Sequence, residues 1–201
     1  MTRTIALLQG DSTVGDLIGN ALRLESLAAL AATNGAALAL STELAICGYP
    51  PRDLLLQPEF VNKAQDQACQ LNVQIPVLVG TPLAPEHTKQ LPSNGVVRCG
   101  PNTASSDHGN RVVARKQLLP TYDVFDEARY FKADNRPGIA RTIAGLDLGV
   151  TVCEDAWQVA GMTPSSYAAD PIESLAEWGR QGVKLDATVN LSASPYHADK
   201  L

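Results

Sequence analysis

The stretch "GLDLGVTVCEDAW", residues 145–157, runs small and β-branched apolar residues up to a cysteine, then two carboxylates and a tryptophan. Val150, Thr151 and Val152 after Gly149 are strand formers, so the run predicts a buried β-strand ending at Cys153. A cysteine beside Glu154 and Asp155 is poorly placed to ionise, because nearby negative charge opposes thiolate formation. Two readings follow: an inert core thiol, or a nucleophile activated by groups brought from elsewhere in the chain.

Outward from this strand, the same apolar runs recur and alternate with helical patterns. Toward the N-terminus, "TIALLQ" (4–9) and "AALALS" (36–41) predict buried strands. Between them lies a helical pattern with Asp16 as N-cap and Gly35 as the stop. A second helix opens at Pro58 in "QPEFVNKAQDQACQLN", and "IPVLVGTP" (75–82) follows as a strand. "NGVVRCG" and "NRVVARK", separated by the polar "PNTASSDHG", read as a hairpin. "GIARTIAG" suggests a further strand, and a helix over "PIESLAEWGRQG" precedes a last strand, "LDATVNLS". The pattern amounts to roughly eight strands and three or four helices in one α/β domain with mixed rather than purely parallel sheets.

Composition narrows the function. Of 201 residues, 45% are hydrophobic and 18% charged, as in a globular domain with a real core. A net charge of -5 and a pI near 5.1 argue against nucleic acid or an anionic membrane as partner. No N-terminal secretory pattern or membrane span is apparent. Cys47, Cys69, Cys99 and Cys153 are far apart with no CxxC pair, so neither a disulfide framework nor a metal site is expected, and reduced thiols in a cytoplasm are the simple reading. A dinucleotide-binding unit fits poorly, because no GxGxxG follows the first strand.

Three reactive side chains stand directly after apolar strands: Glu43, Lys116 and Cys153. Singly, each has an ordinary structural reading as a cap, a solvated cation or a small core residue. Together they make a chemically complete set of base, cation and nucleophile. The three histidines, His87, His108 and His197, sit in polar loops or near the end of the chain and carry no neighbouring motif. If Cys153 is a nucleophile, a buried glutamate such as Glu43 is then the better base, and Lys116 the charge that offsets an oxyanion.

"STELAICGYPPRDLLLQPEFV", "RKQLLPTYDVFDEARYF", "VTVCEDAW" and "NLSASPYH" resemble, in order and spacing, the amidase domain of the nitrilase superfamily. "GYPPRDLLL" and "YDVFDEARYF" place the resemblance nearest the glutaminase domain of glutamine-dependent NAD+ synthetases. It runs from "IALLQGDSTVGDLIGN" to the last residue. The resemblance implies a four-layer αββα sandwich, a Glu43–Lys116–Cys153 catalytic triad and a second glutamate at Glu127. It further implies Tyr122 in the glutamine pocket, the backbone N–H of Glu154 in the oxyanion hole, and Ser194 in a pocket wall formed by "SASPYH". Glu154 and Asp155 are expected to turn their carboxylates away from the sulfur into structural hydrogen bonds.

The implied reaction is hydrolysis of the glutamine side-chain amide through a thioester, needing no metal or cofactor. In the family, the ammonia passes to a synthetase domain of the same chain, where ATP and Mg2+ serve amidation of nicotinic acid adenine dinucleotide. That domain, with its SGGxDS loop, is not in this sequence. The amidase domain itself is expected to be shortened at its C-terminus, since the pattern normally continues past Leu201. Homo-oligomers are expected by the same resemblance. Two departures stand out: Thr42 replaces the usual proline before the catalytic glutamate, which predicts a looser turn, and Gly10-Asp11 replaces Asn-Pro. A free-standing amidase of small amides, and a non-catalytic interaction module that keeps the fold, are the competing readings.

Overall fold

The computed structural model describes residues 3–87, 89–101, 111–158 and 164–194. Two sheets form from the apolar runs, and helices cover their outer faces. In the first sheet, β1 (Ile5–Leu8), β2 (Leu38–Ser41) and β3 (Val77–Leu83) are parallel neighbours. Next come β4 (Ser93–Cys99) and β5 (Val112–Arg115), each antiparallel to the strand before it. The second sheet has β6 (Gly138–Ile143), β7 (Leu146–Val152) and β8 (Ala187–Leu191), in that order. β6 and β7 are antiparallel across a tight turn in which Ala144 and Gly145 both have positive φ, the geometry that suits the right-handed twist of a hairpin. β8 is parallel to β7. The connection between β4 and β5 lies largely outside the described residues, but the strands pair as the hairpin reading expects.

α1 (Leu17–Thr33) starts where Asp16 accepts a hydrogen bond from Gly19 N. α2 (Pro58–Cys69) opens with proline at its first turn, where a missing N–H costs nothing. α3 (Pro171–Arg180) is capped by Asp170, which accepts from Glu173 N. Residues alternate across each strand. Leu38 and Leu40 of β2, with Leu78, Val96 and Ala114, meet Leu148, Val150 and Val152 of the second sheet. Ala39, Val77, Val79 and Val97 face the other way, onto Leu24, Ala28, Ala64 and Ala68 of α1 and α2. On the outer side of β7, a Cβ on Gly149 would lie 3.0 Å from Leu175 of α3. The order is therefore helices, sheet, sheet, helix: the αββα sandwich expected above.

This arrangement places the site. Reversing direction twice, from β3 through β4 to β5, returns β5 to the direction of β2. The carboxyl ends of β2 and β5 thus share one end of the first sheet, and β7 of the stacked sheet delivers its end beside them.

Candidate active site

Glu43 lies in the tight turn that ends β2. Its neighbour Leu44 has φ +50, and the turn closes through Cys47 N and Gly48 N donating to Leu44 O. β3 supports it from below: Gly80 N donates to Ser41 Oγ, and a Cβ at Gly80 would stand 2.4 Å from Thr42 O. Asn20 and Ser12 donate to Ile46 O and Ala45 O. These contacts support the turn in which Thr42 stands where the family has proline. Lys116 follows β5 directly, its N–H donating to Asn94 O, and its side chain is wholly enclosed. Cys153 opens a single 3-10 turn, Cys153–Ala156, with φ +47. A non-glycine residue held there costs on the order of 1–3 kcal/mol, strain that the surrounding structure must maintain.

The three side chains meet. Lys116 Nζ donates to Glu43 Oε1 at 2.8 Å and to Glu127 Oε1 at 2.9 Å. Glu127 Oε2 faces the same ammonium at 2.7 Å. Glu43 Oε1 also accepts from Asn94 Nδ2 at 2.7 Å, and its Oε2 from Ala193 N at 3.0 Å. The Glu43 carboxylate and the Lys116 ammonium both act on the Cys153 thiol, the first raising its pKa and the second lowering it. Tyr49 OH donates to Glu127 Oε1 at 2.9 Å. Glu127, which could have been a surface ion-pair partner on sequence alone, is only 4% exposed.

The two acids after Cys153 turn away from it. Glu154 accepts from Tyr122 OH at 2.9 Å and from Tyr167 OH at 3.1 Å. Asp155 accepts from three backbone N–H groups, those of Gln117, Leu118 and Val152. Both carboxylates are thus occupied in structure, as expected.

Burial sets the protonation states. The Cys153 thiol is pushed up to about 12, by burial and by Glu43, with Lys116 opposing. Burial raises Glu127 to about 7 against the pull of Lys116. For Lys116 itself burial opposes the charge, but Glu43 and Glu127 hold the ammonium above the usual lysine range. Cys153 is therefore a thiol near neutrality, and a reaction at its sulfur needs a base. Glu43 stands at the right place for one.

Glu43 opens onto a cleft of about 470 Å³ that Tyr49, Arg52, Val124 and Ser194 also line. Ser194 thus shares a wall with Glu43. Tyr122 stands next to Glu154, packing edge-on against Phe125 with ring centroids 5.5 Å apart. Sequence reasoning missed Asn94, Tyr49, Tyr167 and the Ala193 N–H. Asn94 and Tyr49 carry a usable signal, an amide inside an apolar strand and a phenol in the turn after Glu43, whereas the other two are joined to the site only by the tertiary fold. His87 is exposed and away from the site, while His108, His197 and the rest of "SPYH" lie outside the described residues. Among the described residues, no group of three or more His, Cys, Asp or Glu side chains is placed to hold a metal ion, and no helix is long and apolar enough to cross a membrane.

The family model for carbon-nitrogen hydrolases matches residues 4–195. The chain belongs to the carbon-nitrogen hydrolase family. Among the hydrolase's relatives, a glutamine-dependent NAD(+) synthetase from Synechocystis is 39% identical over 98% of this chain and 35% of its own length. Another, from Thermotoga maritima, is 33% identical over 98% of this chain and 31% of its own. The hydrolase chain thus spans about a third of the length of these relatives. The solved glutamine-dependent NAD+ synthetase of Acinetobacter baumannii superposes with a TM-score of 0.74 at 26% identity, over 98% of this chain and 33% of that one. An amidase of the nitrilase superfamily from Nesterenkonia superposes with a TM-score of 0.59 at 25% identity, over 76% and 56% of the two chains.

Proposed function

We propose that this domain hydrolyses the side-chain amide of glutamine through a thioester on Cys153 and supplies the ammonia to an ATP-dependent synthetase. The observation that carries the reading is the enclosed contact of Lys116 with Glu43, with the Cys153 thiol under the influence of both charges. Cys153 Sγ attacks the amide carbon while its proton passes to Glu43. The carbonyl oxygen becomes an oxyanion, met by the Lys116 ammonium and the backbone N–H of Glu154. Glu43 then delivers the proton to the departing nitrogen, which leaves as ammonia, and the thioester remains. Water attacks that thioester with Glu43 again as base, releasing glutamate and restoring the thiol. Glu127 holds the far side of Lys116, and Tyr122 and Ser194 line the approach of the amino-acid end of the substrate.

None of these steps uses a metal or cofactor. ATP and Mg2+ would serve the synthetase, whose reaction the family resemblance gives as amidation of nicotinic acid adenine dinucleotide to NAD+; relatives named glutamine-dependent NAD(+) synthetases support that reading. A homo-oligomer in the cytoplasm belongs to the same reading. The amidase likeness supports a second reading, a free-standing hydrolase of small amides. Ammonia release from glutamine and from propionamide, measured with the wild-type chain and Cys153→Ala, separates them. Release from glutamine that disappears in the variant supports the first reading. Release from propionamide alone favours the second, and release from neither overturns both for this chain.

A further inference from the structure

Lys116 and Cys153 end strands of different sheets. Strands within a sheet are tied by backbone ladders, but stacked sheets meet chiefly through apolar side chains, here Ala114 against Val150 and their neighbours. Such packing is non-directional and does not by itself fix how far the end of one strand sits from the end of another. Beside the Glu43–Ala193 bond, a second buried carboxylate ties β5 to β7. Asp155, 1% exposed, accepts from Gln117 N at 3.0 Å and Leu118 N at 2.9 Å through Oδ1, and from Val152 N at 3.1 Å through Oδ2. Gln117 and Leu118 are the two residues after Lys116, and Val152 is the residue before Cys153.

A local cap of the Cys153 turn would need the Val152 bond alone. The other two bonds reach 38 and 37 residues back along the chain, into the segment that carries the lysine. We infer that Asp155 is a positioning residue that sets the Lys116 ammonium against the Cys153 thiol by clamping the ends of β5 and β7 together. The inference rests on the catalytic reading of those two residues. All three partners are N–H donors, so the clamp requires an acceptor at both oxygens. An asparagine must turn its NH2 toward one side and lose the bond there, and an alanine loses all three.

The test compares the wild-type chain with Asp155→Asn and Asp155→Ala, their folding followed by circular dichroism and urea titration. Two rates are read: glutamine hydrolysis, and alkylation of Cys153 by iodoacetamide without substrate, followed on the Cys153 peptide by mass spectrometry. In the folded variants kcat falls about 10–100-fold, the range for small misplacements of reacting groups, with KM little changed. Cys153 alkylation slows in the same order, alanine more than asparagine. Folded variants that keep both rates within about twofold of wild type overturn the inference, as does a loss confined to KM. If Asp155→Ala fails to fold, Asp155→Asn decides. If neither folds, Asp155 is a folding residue and the positioning role falls. A wild-type chain that releases no ammonia, yet whose alkylation still depends on Asp155, would overturn the glutaminase reading while leaving the clamp standing.

Discussion

The Lys116 ammonium lies 2.8 Å from Glu43 Oε1, and neither side chain is exposed to solvent. On its other side the same ammonium faces both oxygens of Glu127. Two carboxylates thus share one cation in a water-poor interior, where removing one partner leaves an uncompensated charge. Lys116→Met should therefore destabilise the fold by about 3–5 kcal/mol, the usual cost of stripping one member from a buried ion pair. A urea titration reads this directly. Adding Glu127→Gln to Lys116→Met should recover part of the loss, because one of the two facing carboxylates then carries no charge. A single variant within about 1 kcal/mol of wild type would mean that the lysine does not hold these acids together.

The second expectation concerns the sulfur. Burial and Glu43 push the Cys153 thiol up to about 12, so the resting enzyme holds S–H and not a thiolate. The difference in ultraviolet thiolate absorbance between wild type and Cys153→Ala should stay near zero through neutral and mildly alkaline pH. It should rise only as the solution approaches the raised pKa. A thiolate signal already present at neutrality would assign Lys116, rather than Glu43, the main part in activating the sulfur.

The ladder of elements was readable because each depends on local pattern. Strand ends could be placed from where apolar runs stop, which is why Glu43, Lys116 and Cys153 stood out at the ends of β2, β5 and β7. Their meeting was not readable from spacing, since it depends on β5 regaining the direction of β2 and on the second sheet stacking over the first. The odd pair Glu154-Asp155 shows the limit best. Sequence suggests only that these charges must be held away from the sulfur. What holds them, two tyrosine hydroxyls in one case and three backbone N–H groups in the other, comes largely from other segments, with Tyr122, Gln117 and Leu118 more than thirty residues away in the chain. The support of the Glu43 turn, where Thr42 stands in place of the usual proline, is of the same kind, because Gly80 and Asn20 supply it from other elements.

Stability should depend on pH in an unusual direction near neutrality. Burial raises Glu127 to about 7, above the unfolded carboxyl value of about 4. The folded chain then binds more protons than the unfolded chain between these limits, so stability falls as pH rises. This contribution is fully present below about pH 4 and is lost as pH rises through about 7. Asp134 works oppositely at lower pH: although partly buried, it is held down to about 2 by Arg136 and the N–H groups of Arg136 and Asn135, and its contribution is lost in acid. Urea midpoints should therefore peak near pH 4–5 and decline toward pH 7. Glu127→Gln should flatten that decline, and an unchanged slope in this variant would assign the decline to other groups.

The cleft in front of Glu43 carries a charge that separates the two substrate readings. Arg52 is the one cation among the described residues that line it, held at φ +47 just after Pro50 and Pro51. An amino-acid amide such as glutamine brings an α-carboxylate into this cleft, whereas a neutral aliphatic amide brings none. A guanidinium at the mouth would attract the first and ignore the second. Arg52→Ala should then raise KM for glutamine by about 5–10-fold at low salt, leave kcat nearly unchanged, and leave any hydrolysis of propionamide untouched. The increase should shrink as salt screens the wild-type attraction. An equal loss on both amides would place Arg52 in the support of the turn and not in recognition of the substrate carboxylate. No effect on either would leave recognition to Tyr122 and Ser194.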